Sequence, residues 1–281
     1  MAKIVSVIAL AHAPGVTGWL DKAPQAQQEE LLRGYDDMAR RLAATKPDVI
    51  VGIANDHLLN FCMENIPDWC VGIADRWQGP AAWFRDWLNV ADYELAGHRG
   101  LARHIVRGAG DRGINLAFAE KLLFDDNWSV PLKFLTPRYD VALVPIHMNC
   151  VMPPLPPNGR CYAFGQALAE MIRAWPGSER VAIVATGGLS HDPGGPKYFA
   201  VDEAFDRWFL ELLDAPDHAR VLREVTHERM IAAGDGGTVE LLAWMVAMGA
   251  AGAGSKAQTV FYVPSVPLRC GMGGVAWQLA A

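Results

Sequence analysis

Four strongly apolar runs in this 281-residue chain are each followed closely by a histidine. The runs are Lys3–Leu10, Asp48–Ala54, Asp140–Ile146 and Arg180–Thr186, and the histidines are His12, His57, His147 and His191. Short, continuous apolar runs are typical of strands buried on both faces of a parallel sheet. In open α/β sheets, ligands bind beyond the carboxyl ends of the strands. The pattern therefore predicts that these four histidines, half of the chain's eight, lie at one edge of a sheet.

Helical patterns separate the apolar runs, as expected for βαβ units. We predict helices over Ala26–Leu42, Tyr93–Arg107, Tyr162–Ala174, Phe199–Leu213 and Gly237–Met248, and a last strand or edge over Thr259–Val263. With 51% hydrophobic residues, the chain can bury a sizeable core. The expected fold is a single α/β domain over residues 1–281, with a central mixed sheet, helices on both faces and an active site at the carboxyl ends of the strands.

The composition argues against several classes of partner. A net charge of -6 without clustered Lys and Arg argues against a nucleic-acid surface, and no run approaches the ~18 apolar residues of a membrane span. Ile4–Ala11 is short for a signal peptide and follows a single lysine, so we interpret it as a strand. Five cysteines without a C-x-x-C pair predict neither a disulfide framework nor a zinc knuckle, and favour a reducing, cytoplasmic location.

The best candidate for a carboxylate beside these histidines is Glu240. One histidine after a strand is more often a hydrogen-bonded loop residue than a metal ligand, but four with small or turn-forming neighbours indicate a shared site. Thr238 or its neighbour can cap a helix, which would place Glu240 in the first turn, where the helix dipole alone also favours a glutamate. Two neutral imidazoles and one carboxylate would leave bound Fe(II) with a charge of +1 and about three open positions.

On these motifs the chain resembles the class III extradiol ring-cleavage dioxygenases, the LigB-type family typified by the β subunit of protocatechuate 4,5-dioxygenase. The resemblance rests on Ala11-His12-Ala13-Pro14-Gly15, Asn55-Asp56-His57, Thr186-Gly187-Gly188-Leu189-Ser190-His191 and the glycine-rich approach to Glu240, in the family's order. It implies that His12, His57 and Glu240 hold Fe(II) and that His191 is the active-site acid–base. It also implies O₂-dependent ring opening of a small aromatic diol to a semialdehyde, by a homo-oligomer or a hetero-oligomer with a small subunit.

One stretch departs from the family pattern. Related dioxygenases often carry a second active-site histidine in an Asp-His-Gly stretch before a Val-Pro pair, and we match this to Asp126–Pro131, with Asn127 at the histidine. Asn127 can hydrogen-bond a substrate oxygen but cannot transfer a proton at neutral pH. Asn127, Trp128 and His147 are the candidate substrate-binding residues, although a packed or supporting role is the simpler interpretation of His147.

Trp69, Trp77, Trp83 and Trp87 crowd one segment. They can line a pocket for a flat aromatic substrate, but core and interface packing is the more common role for such residues.

Three functional alternatives stay open. A 2-aminophenol also presents two adjacent chelating groups to the same site. A zinc hydrolase could use the same two histidines and glutamate, with a metal-bound water and His191 as general base. A non-catalytic accessory subunit could share the fold, although such a subunit would more often lack a ligand.

Overall fold

A computed structural model describes residues 1–279 and shows a mixed, eight-stranded sheet. The strands are β1 (Lys3–Leu10), β2 (Val49–Asn55), β3 (Trp69–Gly72), β4 (Arg76–Gly79), β5 (Tyr93–Ala96), β6 (Ala117–Ala119), β7 (Ala142–Met148), β8 (Arg180–Thr186), β9 (Ala257–Ser265) and β10 (Cys270–Trp277). The order across the sheet is β6-β3-β7-β2-β8-β1-β10-β9, and β4 and β5 form a separate two-stranded ribbon.

Helices cover both faces of the sheet. They are α1 (Gly15–Gly18), α2 (Gln25–Ala44), α3 (Arg85–Leu88), α4 (Arg99–Gly110), α5 (Asp126–Leu135), α6 (Asn158–Ala174), α7 (Glu203–Asp214), α8 (His218–Glu224), α9 (His227–Ala233) and α10 (Leu241–Ala251), with 3₁₀ turns at Leu20–Lys22 and Thr238–Glu240. Apolar residues of α2 and α5 join one core cluster, and those of α4, α6, α7 and α10 join the other. Every residue of α10 is buried because its sequence is apolar on all sides. The predicted α/β fold with helices on both faces is confirmed.

The four central strands are the four apolar runs of the sequence. β7, β2, β8 and β1 are neighbours and run parallel, so their carboxyl ends lie at the same edge. β2 is buried along its whole length, which explains its continuous apolar run. Among the described helices, none is long and apolar enough to cross a membrane.

The β9–β10 hairpin turns at this same edge. β10 runs antiparallel to β1, with Leu10 opposite Gly274, so the first residues of β10 extend past the carboxyl end of β1. Gly271 there donates its N–H to the carbonyl of Ser190, in the loop after β8. The hairpin turn is therefore held beside the loops that follow the parallel strands.

Two predicted helices differ in the structure. Tyr93–Arg107 is not one helix: residues 93–96 form strand β5, in which alternate side chains are buried, and α4 begins at Arg99. Strand β5 ends directly before Gly97. The backbone of Gly97 packs closely against that of Ala74, since a Cβ atom at position 97 would lie 2.2 Å from the Ala74 carbonyl oxygen. The helix predicted from Gly237 begins as the 3₁₀ turn and continues as α10, so Glu240 directly precedes α10.

Candidate active site

Three adjacent parallel strands carry the predicted histidines. His12 follows β1, His57 follows β2 and His191 lies in the loop after β8, which is the strand between the other two. The rings of His12 and His57 are nearly perpendicular, with centroids 5.2 Å apart. The structure therefore brings together side chains that are 45 residues apart in sequence.

The carboxylate of Glu240 lies between the imidazoles and is buried. Its Oε1 is 3.0 Å from Nε2 of His57, and its Oε2 is 3.3 Å from Nε2 of His12. The N–H of Gly188 donates to Oε2 at 2.8 Å, and the Asn55 amide donates to Oε1 at 3.1 Å. Burial opposes ionisation of Glu240, but the neighbouring His12 and His191 outweigh it and hold the carboxyl pKa well below its usual range.

A proline in α5 fixes which nitrogen of His12 carries the proton. Pro131 has no N–H to donate to the carbonyl of Asn127, four residues earlier in the helix. The hydroxyl of Thr186, the last residue of β8, donates to that carbonyl instead, at 2.9 Å. Having used its proton there, the hydroxyl accepts the Nδ1–H of His12, at 3.1 Å. Nε2 of neutral His12 therefore presents a lone pair towards Glu240.

A carboxylate fixes His57 in the same way. Asp125 accepts the Nδ1–H of His57 at 3.0 Å and also caps α5 by accepting the N–H of Asn127. Burial opposes a charge on His57, but Asp125 and Asp126 outweigh it and hold the imidazole pKa well above its usual range. With Nδ1 occupied, Nε2 is the nitrogen that faces Glu240: it carries a proton in the charged imidazole and can present a lone pair to a cation once that proton has left.

Nε2 of His12, Nε2 of His57 and the carboxylate of Glu240 thus converge, and a bound cation would take the place of the proton between His57 and Glu240. Donor atoms bound to one ion at about 2.1 Å and at right angles lie about 3 Å apart, as the atoms of Glu240 do from both histidines. Asp126 is a second carboxylate within reach: it forms a compact potential metal group with His12 and His57. We favour Glu240, because its oxygens face both Nε2 atoms, whereas Asp126 lies 3.5 Å from Nδ1 of His57.

His191 presents one nitrogen to the same space. Its Nδ1–H donates to the carbonyl of Leu189 at 3.0 Å, so in the neutral imidazole Nε2 is the nitrogen with the lone pair, and it lies 3.8 Å from Oε2 of Glu240. The imidazole packs against the backbone of Gly188, where a side chain would lie 2.6 Å from the ring. The hydroxyl of Thr238 bonds both the N–H and the carbonyl of His191, instead of capping a helix as the sequence suggested.

A buried carboxylate anchors the loop that carries His191. Asp206 of α7 accepts hydrogen bonds from the N–H and hydroxyl of Ser190, at 2.7 and 2.8 Å, and from the hydroxyl of Tyr262, at 2.8 Å. Burial raises the pKa of the Asp206 carboxyl to about 6, against the effect of these hydrogen bonds. The loop is therefore fixed from behind by polar contacts within the protein.

The three candidate substrate-binding residues lie behind the site, and none of them is among the described residues that line the cavity. The Asn127 amide donates to the backbone carbonyl of Asn55 at 3.0 Å. His147 is fully buried and has both ring nitrogens occupied: Nδ1 bonds Asp56 at 2.8 Å, and Nε2 accepts the indole N–H of Trp128 at 3.0 Å. The structure thus gives all three residues supporting contacts, and it is Asp125 and Asp126 that line the cavity.

A cavity of about 240 Å³ adjoins the converging residues. Its inner end is formed by His12, His57, Asp126, His191 and Glu240, and its outer wall by Trp19, Phe84, Trp87, Tyr198 and Arg269. Of the four crowded tryptophans, Trp69 and Trp77 lie in the core, Trp83 is exposed, and Trp87 lines the cavity. Sequence reasoning missed Asp126, Trp19, Tyr198 and Arg269. For Asp126 the acidic pair before Asn127 was a signal, whereas the other three had none.

Comparison with known proteins gives a consistent result over most of the chain. A family model described as the catalytic LigB subunit of aromatic ring-opening dioxygenase matches residues 6–267. A 2,3-dihydroxyphenylpropionate/2,3-dihydroxicinnamic acid 1,2-dioxygenase of Rhodococcus is 31% identical over 238 residues, which are 82% of this chain and 69% of that protein. A gallate dioxygenase of Pseudomonas putida is 31% identical over 61% of this chain and 51% of its own length.

A solved structure shows the same fold at low sequence identity. An uncharacterized protein of Escherichia coli K12 superposes with a TM-score of 0.60 at 14% identity, covering 97% of this chain and 99% of its own. At this identity the likeness concerns the fold alone. The arrangement of strands and helices is therefore shared with a protein of quite different sequence.

Proposed function

This chain belongs to the LigB family of aromatic ring-opening dioxygenases, and on that premise we propose that it is an extradiol dioxygenase that opens a catechol-type ring with O₂. The proposal is supported by the relatives whose names describe dioxygenases of a dihydroxyphenyl acid and of gallate. The observation that carries it is the convergence of two imidazole Nε2 atoms and one carboxylate at the inner end of the cavity. Location in the cytoplasm and assembly into oligomers stay predictions.

The proposed metal is Fe(II), held by His12, His57 and Glu240. The donor set suits it, since two neutral imidazoles and a carboxylate on one side of an ion leave the opposite positions open. When bound, Fe(II) would chelate a diol and activate dioxygen for reaction with it. The protein's own contribution is to fix the donors: Thr186 and Asp125 set the tautomers of the two histidines, and Gly188 fixes the carboxylate.

His191 is the proposed proton acceptor. A catechol that binds as a bidentate monoanion must lose one hydroxyl proton, and an imidazole is suited to take it at neutral pH. Because the carbonyl of Leu189 accepts Nδ1–H, the neutral imidazole of His191 has its lone pair on Nε2, the nitrogen that would accept the proton. The same imidazole can return the proton to the opened product. The aromatic outer wall, including Trp19 and Trp87, offers ring faces against which a flat substrate can pack.

The test is anaerobic loading with Fe(II) or, in a parallel sample, Zn²⁺, followed by oxygen-electrode assays with catechols and 2-aminophenols. We expect oxygen consumption with a catechol in the iron-loaded sample only. Zinc-dependent hydrolysis without oxygen uptake would contradict the proposal, and preference for an aminophenol would correct the substrate.

The ligand assignment has its own test. We expect His12→Ala, His57→Ala and Glu240→Ala each to remove most bound iron and essentially all activity, because three protein ligands are the minimum for such a site. Asp126→Asn is the control and should keep its iron. Loss of iron in Asp126→Asn but not in Glu240→Ala would reassign the third ligand.

A further inference from the structure

The cavity has opposite charge character at its two ends. The inner end carries three carboxylates, Asp125, Asp126 and Glu240, beside the histidines. Among the described residues that line the cavity, the one Lys or Arg side chain is Arg269, in the outer wall. The two ends differ in exposure as well, since Glu240 is 1% exposed and Trp87 46%. A ligand that spans the cavity would contact the metal donors at its inner end and a cation at its outer end.

Aromatic rings fix the position of Arg269. Its guanidinium carbon lies 4.3 Å from the ring centroid of Tyr198, 5.1 Å from that of Phe199 and 5.7 Å from that of Trp19. One N–H donates to the Tyr198 hydroxyl. Stacking of this kind uses the faces of the guanidinium and leaves the N–H groups around its edge available. The side chain is thus held in place without its hydrogen-bonding capacity being used up.

Arg269 also lacks a counter-ion. In the part of the chain that the structure describes, no carboxylate oxygen lies within 4.0 Å of its nitrogens, whereas Arg207, which stacks on Tyr262 in a similar way, pairs with Glu203. Arg269 has a left-handed backbone (φ 64°), which is uncommon for residues other than Gly, Asn and Asp. It lies at the end of the β9–β10 turn, directly before Cys270, which also lines the cavity.

We infer that Arg269 is a specificity-determining residue that binds a carboxylate on the substrate, so that the preferred substrates are catechol-type rings bearing a carboxylate away from the diol. A carboxylate matches the planar fork of a guanidinium, and a hydrogen bond to a charged partner is stronger than one between neutral groups. The inference rests on the proposed function, because the diol must occupy the inner end for the carboxylate to reach Arg269.

The experiment compares acids with their neutral esters. The substrates are 3,4-dihydroxybenzoate and 3-(2,3-dihydroxyphenyl)propionate, each beside its methyl ester, with iron-loaded wild type, Arg269→Gln, Arg269→Lys and the control Arg207→Gln. We take whichever of the two acids the wild type uses with the higher kcat/KM. For this acid we expect Arg269→Gln to lower kcat/KM by about 10- to 100-fold, and for its methyl ester to change kcat/KM by less than about 3-fold. The kcat/KM of Arg269→Lys for the acid should lie between those of wild type and Arg269→Gln, because lysine keeps the positive charge but not the planar guanidinium. Arg207→Gln should behave as wild type.

A binding measurement keeps this result separate from the proposed function. Quenching of tryptophan fluorescence by the same acids and esters is measured under anaerobic conditions, with and without iron, because Trp19 and Trp87 line the cavity. If wild type turns over none of the catechols but binds the acid more tightly than the ester, and Arg269→Gln does not, the carboxylate site stands and the proposed reaction fails. If wild type turns over a catechol and Arg269→Gln lowers kcat/KM equally for the acid and the ester, the role of Arg269 is overturned and the proposed reaction stands.

Discussion

Replacing Thr186 by valine removes one hydroxyl while keeping the shape of the side chain. That hydroxyl is buried between two groups: it donates to the carbonyl of Asn127 at 2.9 Å and accepts Nδ1–H of His12 at 3.1 Å. Neither group has an easy substitute. Pro131 offers no N–H to the carbonyl, and His12 is only 3% exposed to solvent. The variant therefore leaves one buried acceptor and one buried donor without partners.

The size of the effect follows from these two contacts. A buried polar group left without a partner costs about 1–3 kcal/mol, so two cost roughly 2–6 kcal/mol. The extra methyl group of valine offsets about 1 kcal/mol of this. Because His12 also loses the contact that fixes its tautomer, we expect metal affinity to fall by about 10- to 100-fold, as is usual when such an orienting partner is removed.

The assays are denaturant unfolding of the metal-free protein and anaerobic competition for Fe(II) with a chromophoric chelator. Thr136→Val is the matched control: its hydroxyl contacts the carbonyl of Leu132, which keeps the N–H of Thr136 as a partner. We expect the control to lose less than about 1 kcal/mol and to bind metal as wild type does. A Thr186→Val protein that is destabilised but binds Fe(II) normally would refute the link from Pro131 to His12.

Three other changes test the site and its surroundings. His191→Ala should keep its iron and bind a catechol, while turnover falls by about 10²–10⁴-fold, and either loss of iron or unchanged turnover would show that His191 is not the acid–base. His147→Ala should also keep its iron but lose about 3 kcal/mol or more of unfolding free energy, because it removes a hydrogen bond to the buried Asp56, leaves the indole N–H of Trp128 without its acceptor and opens a cavity; unchanged stability would contradict these contacts. The pKa of Asp206 is raised to about 6, so the native state holds this proton more tightly than the unfolded state does. The contribution of this proton to the free energy of unfolding is roughly 3 kcal/mol below about pH 4 and is lost as the pH rises through 6. Asp206→Asn should remove that slope from urea unfolding measured between pH 4 and 7, and an identical slope in both proteins would show that Asp206 is not its source.

The parallel centre of the sheet was predictable because each of its strands is an uninterrupted apolar run. β2 and β8 owe that pattern to burial on both faces, which the sequence records directly. β10 was not predicted, since Cys270–Trp277 contains three glycines and its strand conformation is set by pairing with β1 and β9. Long-range pairing of this kind leaves no local pattern.

The residues of the candidate site also fall into a predictable and an unpredictable group. His12, His57, His191 and Glu240 could be proposed because short motifs surround them, and the structure brings these side chains together. Which residues after Phe124 face the cavity could not be predicted from the sequence. Asp125 caps α5 and Asp126 begins it, and both line the cavity, whereas the helix turns Asn127 inwards to the backbone of Asn55. That outcome depends on backbone geometry at a helix end, which residue types alone leave undetermined.

The proposed metal ligands and the proposed carboxylate-binding residue lie in different parts of the sheet, because β10 runs antiparallel to β1. The side chains proposed to hold the metal follow parallel strands or precede α10, whereas Arg269 lies at the amino end of β10, which leaves the same edge in the opposite direction. Four residues connect β9 to β10 at this edge, from 266 to 269, so the turn can change in length or composition without moving β1, β2 or β8. Relatives that share the reaction centre can therefore diversify in what they accept by exchanging this short turn, and a library confined to it is the economical route to new substrate range.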